Sequence, residues 1–279
     1  MITYVKSVWN GFSRYRYLLA NLVQRDLTVK YRRSVLGILW SILNPLLMML
    51  VMGVVFTNFI RGGAMELPLA ANGKAPEYLV YLLSGQLVFG FFSEATKAAM
   101  DSILASSNLI KKVYVPKYIF PLEKTMFSFV NVMFSMIALL LVMLVTRSLF
   151  TPWALLFIPV LVLLLLFNYG VGLMLAAFTV FFRDIKHFYE IIVLALNYLT
   201  PIFYTESLFQ GAGTLNNFMR IVFRLNPMYW YVGAFRQVVV YGLPPTLQQI
   251  LVCIAFAVVA LLLGSFIFKK SQDKFILYI

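Results

Sequence analysis

Arg25–Phe59 reads RDLTVKYRRSVLGILWSILNPLLMMLVMGVVFTNF. Its first nine residues hold four cations, Arg25, Lys30, Arg32 and Arg33, against one anion, Asp26. The next 25 residues, Val35–Phe59, carry no charge. A helix of that length spans about 38 Å, and a bilayer's hydrocarbon core needs about 30 Å. Lys and Arg beside an apolar span stay on the cytoplasmic side, so residue 34 is expected to mark the inner face of a membrane. Asn44-Pro45 lies inside the span and predicts a kink there.

The rest of the composition agrees. The chain has 279 residues, 62% hydrophobic and only 12% charged. A soluble domain carries about 25% charged residues, a deficit that lipid as solvent tolerates. The net charge of +13 sits beside apolar spans. Anionic headgroups explain that placement, and no nucleic-acid partner is expected. The single cysteine, Cys253, can form no intrachain disulfide. Lys6, Arg14 and Arg16 interrupt the first 16 residues, so no cleavable signal peptide is expected.

Upstream of the quoted stretch, Tyr15, Leu18, Leu19, Leu22, Val23 and Leu27 recur at helical spacing, with Arg14, Asn21, Gln24, Thr28 and Arg32 opposite. Residues 1–34 therefore read as an amphipathic helix lying in the membrane interface. Asp26 projects near the apolar side. Its simpler role is an i,i+4 pair with Lys30. The sharper one is a contact with another subunit.

Downstream, the apolar runs place spans at about 35–59, 78–104, 121–145, 153–182, 188–204 and 247–268. Together 35–268 form a membrane domain, followed by a cytoplasmic tail, 269–279. The uncharged part of the second run, Tyr78–Phe92, is too short to cross. Its helix is expected to continue through Glu94 and Lys97, with Glu94 facing protein or water. Gly170 and Gly172 predict close helix packing. Residues 206–246 are too broken to span. Leu215–Arg224 and Met228–Tyr241 read as two short helices, interfacial or re-entrant. Proposed inner segments hold 17 of the 23 cations and outer segments 6. That split predicts an all-α polytopic protein with six spans and both termini cytoplasmic.

Several chemistries are excluded. No G-x-x-x-x-G-K-[ST] loop occurs, so ATP is not bound in the P-loop manner. His187 is the only histidine and is far from Cys253, which gives neither a zinc site nor a nucleophile pair. A carrier driven by protons or sodium needs carboxylates near the midplane, and only Glu94 and Glu190 come near. No catalytic residue, metal ligand or cofactor on this chain is expected.

Four segments carry a family resemblance: RDLTVKYRRSVLGILWSILNPLLMMLV, SNLIKKVYVPKYIFPL, FRDIKH and LNPMYWYVGAFRQVVVYG. In order and over nearly the whole chain, they resemble the permease subunit of a type-2 ABC exporter. The branch is the one that exports lipid-linked polysaccharides, including O-antigen, capsule and teichoic-acid glycans. The resemblance implies a multi-pass protein of the cytoplasmic membrane that pairs with a second copy of itself. It implies two copies of a cytoplasmic ATPase subunit, which would hold the ATP and Mg. It also implies contacts with membrane lipids and a lipid-linked glycan as substrate.

On the matching positions, Arg25, Asp26, Ser107, Asn108, Leu109, Ile110, Lys111 and Lys112 fall where the family couples to its ATPase. In that loop Leu109 and Ile110 are expected to fill a groove on the partner, and Lys111 and Lys112 to pair with its rim. The bland alternative is a basic inner loop. Lys30, Tyr31, Arg32 and Arg33 would anchor the membrane or receive a lipid diphosphate. Tyr78, Tyr81, Tyr198, Tyr204, Tyr229, Trp230 and Tyr231 offer flat faces with polar tips to a sugar polymer at a pore or outer gate. For each, an interface belt is the alternative. The same architecture could serve an exporter of a drug, peptide or lipid. A membrane-embedded glycan-modifying enzyme is the reading of another class.

Overall fold

The computed structural model describes residues 2–30, 34, 36–60, 67–113, 115–148, 150–209, 211 and 213–278. Among them the secondary structure is helical throughout. The helices are α1 (Ile2–Lys30), α2 (Trp40–Ile60), α3 (Tyr78–Ala105), α4 (Ser107–Lys112), α5 (Ile119–Val145), α6 (Phe157–Phe181), α7 (Ile185–Leu199), α8 (Thr214–Leu225), α9 (Pro227–Val239), α10 (Leu247–Ser271) and α11 (Phe275–Tyr278). Short 3-10 turns precede α2 and α6, and another joins α10 to α11.

Four segments are long and apolar enough to cross a membrane: Tyr78–Ala105, Ile119–Val145, Pro152–Phe181 and Leu247–Tyr278. The helix expected to outrun its apolar stretch does so, since α3 continues past Glu94 and Lys97 to Ala105. Two expected spans are shorter as helices. α7 has 15 residues, about 22 Å, and ends at Leu199 rather than running to Tyr204. In α2 the apolar stretch covers Trp40–Met52, with Pro45 inside the helix.

The core lies where α3, α5, α6, α9 and α10 meet. Val88, Ala138, Leu139, Leu161, Leu164, Phe235 and Val238 have no exposed surface. α6 and α10 touch backbone to backbone. A Cβ on Gly170 would overlap the Ala260 and Leu261 main chain, and one on Gly264 would overlap the Gly170 carbonyl. This is the small-residue packing expected of helices in lipid, where close approach replaces the hydrophobic drive. A Cβ on Gly172 would meet Ala99 of α3.

The region 206–246 does form two helices, and they differ. α8 exposes Leu215, Phe218, Ile221 and Leu225. α9 is buried along Met228, Tyr231, Val232, Phe235 and Val239. Asn226-Pro227 explains the break between them. Asn226 caps α9 by accepting from the Met228 amide at 2.9 Å, and proline at the first helical position needs no partner for its nitrogen. The Asn226 amide also donates to Thr200 Oγ1 at 2.9 Å, fixing α9 to the turn after α7. α10 begins with a reciprocal Thr246–Gln249 capping box.

Candidate functional site

Three polar features are cut into this bundle. The first is a cleft of about 500 Å³ between α3 and α7, lined by Gln86, Gly90, Ser93, Glu94, Lys97, Glu190, Val193 and Asn197. A second hollow of about 210 Å³ adjoins it, sharing Gln86, Gly90 and Glu94 and reaching Pro45, Met48 and Met52 of α2. Residues 86, 90, 93, 94 and 97 follow helical spacing, so one stripe of α3 supplies the polar wall. The Gln86 and Asn197 side-chain carbonyl oxygens accept no hydrogen bond from any described residue. Glu94 accepts from Asn131 Nδ2 at 2.7 Å and lies 3.8 Å from Lys30. The expectation that Glu94 faces protein or water therefore agrees with its surroundings.

The second feature is an aromatic group at the opposite end of α3. Tyr78 and Tyr81 stack with centroids 6.2 Å apart. The Tyr78 hydroxyl donates to Phe203 O at 2.8 Å, and that of Tyr81 donates to Tyr204 O at 2.9 Å. The Tyr204 hydroxyl donates to Tyr198 O at 2.8 Å. Phe223 joins Tyr204 to Tyr229, and Tyr229 meets Trp230 edge to face at 5.4 Å. The Tyr229 hydroxyl donates to Glu206 Oε1 at 2.7 Å. Of the aromatics singled out in the sequence, Tyr78, Tyr81, Tyr204, Tyr229 and Trp230 converge here, while Tyr198 takes part through its carbonyl and exposes its ring. Tyr231 is fully buried, beside Phe167 and bonded to Cys253 O.

One residue holds this end together and was not singled out. Arg236 is 4% exposed and has no carboxylate partner among the described residues. Its guanidinium donates to Tyr81 O, Pro201 O (2.6 Å) and Ile202 O (3.0 Å) and lies 3.5 Å from the Tyr81 ring centroid. By sequence position it falls among the six cations of the outer segments. Its setting in YWYVGAFRQVVVY, a lone charge inside an apolar run, was the available signal.

The third feature is the opposite, α4 end. Ser107–Lys112 forms the short helix α4, with Asn108, Lys111 and Lys112 exposed. Ile110 is buried against the chain's own Ile103, Phe120, Leu173 and Val180, and Leu109 packs beside it. The picture of an outward-facing apolar pair is corrected for Ile110, whose side chain fills its own bundle. Nearby, α1 lies on α5, with Leu19 and Leu22 packed on Ile119. Asp26 is likewise corrected. Its partners are Arg25, at 2.8 Å, and Lys124 of α5, while Lys30 turns to Glu94. Burial pushes the Asp26 carboxyl up, but hydrogen bonds from Lys124 and Arg25 outweigh it and hold it below the usual carboxylate value. Lys124 also lies 3.3 Å from the buried Glu123. Tyr31, Arg32 and Arg33 lie outside the described residues.

Among the described residues no cluster of His, Cys, Asp or Glu could hold a metal ion. His187 is exposed and Cys253 is buried and unpaired. A helical bundle with four segments long and apolar enough to cross a membrane defines a multi-pass membrane protein. Residues 17–240 match the family model described as ABC-2 type transporter, so the chain belongs to that family, as a permease and not an enzyme. It is similar to an O-antigen export system permease protein RfbA of Myxococcus xanthus, 28% identical over 94% of this chain and 95% of that protein. Two proteins of the same description from Klebsiella pneumoniae are 26% and 25% identical, each over 92% of this chain and 93% of their own length.

Proposed function

We propose that this chain is the membrane half of an ATP-driven exporter that carries a lipid-linked polysaccharide of O-antigen type outward across the cytoplasmic membrane. The observation that carries the reading is the end-to-end similarity to O-antigen export permeases. The cleft supports it: amide and carboxylate groups line one stripe of α3, as a hydroxyl-rich cargo requires. In this reading α2 and α7 complete six spans, with both termini inside. Two copies of the chain pair with two ATPase subunits, which bind ATP and Mg.

Coupling to the ATPase would run through Arg25 and Asp26 of α1 and through the exposed edge of α4, Asn108, Lys111 and Lys112. Lys30, Tyr31, Arg32 and Arg33 would meet the diphosphate or the inner headgroups. The aromatic group around Tyr81 would form the outer gate. Capsule or teichoic-acid glycans fit the same chemistry. In cells lacking this gene, the undecorated surface should be accompanied by lipid-linked glycan accumulating on the inner leaflet. Normal surface glycan in that strain, with a drug, peptide or lipid retained instead, would replace this reading with the other exporter class.

A further inference from the structure

A helix as short as α11, four residues, holds only where tertiary contacts tie it down. Here Phe275 has no exposed surface, although Ile276, Leu277 and Tyr278 beside it are largely exposed. After α10 the helical course continues through a single 3-10 turn, Gln272–Lys274, into α11, which sets Phe275 on the bundle. Its ring packs at 5.3 Å from Phe268 and 5.9 Å from Phe181, within the same apolar cluster as Ile110 of α4. Lys117, in the loop between α4 and α5, donates to Gln272 O at 2.6 Å and lies 5.8 Å from the Phe275 ring centroid. Tyr278 adds an edge contact to Phe181 at 5.0 Å.

α4 cannot hold itself in place. It has six residues and no side-chain cap at its start. A helix that short is unstable without tertiary support. Its support comes from Ile110 in the cluster and from the loop that follows it. Phe275 shares that cluster, and the Gln272 carbonyl accepts from Lys117 of that loop. We infer that Gln272–Tyr278 is a strut that fixes the orientation of α4, with Phe275 as its positioning residue. The strut itself is a property of the fold. Its value for transport rests on the reading of α4 as the ATPase contact. A push on α4 then reaches α6 and α10 through Phe275 instead of being lost in local tilting.

The test separates the two claims. A spin label is placed at position 108 (Asn108→Cys in a Cys253→Ser background) of the full-length permease in lipid nanodiscs. Phe275→Ala should raise the label's mobility, Phe275→Leu should restore it, and Ile276→Ala should leave it unchanged. Lys117→Met, which removes the tie to Gln272 without opening a cavity, should also raise it and serves if Phe275→Ala does not accumulate. In the complex with the ATPase, Phe275→Ala should retain its partner while glycan exported per ATP falls about tenfold, the scale of a lost coupling contact. A label as immobile in Phe275→Ala or Lys117→Met as in the parent overturns the strut. So does an equal loss of export in Ile276→Ala. Adding the ATPase to the parent protein reads the other claim. A label that does not respond removes α4 as the contact, while the mobility result in the permease alone still decides the strut.

Discussion

The Arg236 guanidinium lies 3.5 Å from the centroid of the Tyr81 ring and donates to the same residue's carbonyl oxygen at 3.1 Å. It thereby joins α9 to α3 through one residue, and to the turn after α7 through Pro201 and Ile202. α3 admits it because residue 85 is glycine; a Cβ there would overlap Nη2. A charge removed from water is tolerated only when its protons are satisfied, and a planar fork can meet several carbonyls at once.

Arg236→Met should therefore be severe. It removes the guanidinium donor from Tyr81 O, which keeps Ser84 Oγ, from Pro201 O, which keeps only the 3.4 Å Tyr81 hydroxyl, and from Ile202 O, and the loss should be about 2–5 kcal/mol. Arg236→Lys keeps the charge but not the fork and should recover only part. Gly85→Ala should resemble a weak Arg236 variant. The measurement is thermal unfolding of the purified protein in detergent; a Met variant as stable as the parent would refute the account.

The α6–α10 contact makes a second test. Gly264→Ala and Gly170→Ala each force two backbones apart and should cost about 1–3 kcal/mol. Gly90→Ala, by contrast, meets nothing within 4 Å and should leave stability equal or slightly raised. Gly90→Trp goes further, filling the cleft that Gly90 lines while sparing the fold. It should accumulate normally yet fail to export, a split between expression level and surface glycan that the first two variants should not show.

The Asp26–Lys124 pair gives a pH signature. Because the folded carboxyl sits below its ordinary value of 3.8, its contribution is present above that value and is lost as pH falls through the lower one. Arg25, Lys124 and Glu123 are the charged groups that face it. A spin label on exposed residue 21 of α1 should stay ordered from pH 7 to about 4 and loosen below it, as the carboxylate titrates. Asp26→Asn should be loose at every pH, at a cost of about 1.5–3 kcal/mol to α1 docking. A label that is equally ordered in Asp26→Asn would show that Leu19 and Leu22 alone hold α1 in place.

Apolar length was legible because lipid imposes one dominant demand on a span. That demand outlined α2, α3, α5, α6 and α10. Partners far apart in the chain were not legible in the same way. Helical spacing points Asp26 at Lys30, whereas its partners are the adjacent Arg25 and Lys124, 98 residues away. A cation among aromatics, such as Arg236, reads alike at a membrane surface and beneath three carbonyls. Only the convergence of residues 81, 201 and 202 separates the two. Tyr231 could have been set apart, since two residues along a helix turn about 200° and put it opposite Tyr229. Likewise α4 gives no amphipathic pattern long enough to say which of its residues turns inward.

α4 now divides into an inner and an outer side, and the two should fail differently. Ile110 is part of the bundle's own packing, so Ile110→Ala should open a cavity and cost about 2–5 kcal/mol. Its export defect should track lowered stability and should be relieved by growth at lower temperature. Lys111 and Lys112 are exposed, and charges at such a surface contribute only about 0–1 kcal/mol each to any pairing. Neutralising both should therefore weaken a partner mildly. Reversing both, Lys111→Glu with Lys112→Glu, adds repulsion from a rim of carboxylates and should release the ATPase while the permease stays folded. Co-purification of the ATPase beside thermal unfolding of the permease reads both axes. If the double reversal keeps its ATPase at parental levels, the cations of α4 serve only to hold the loop at the anionic membrane surface.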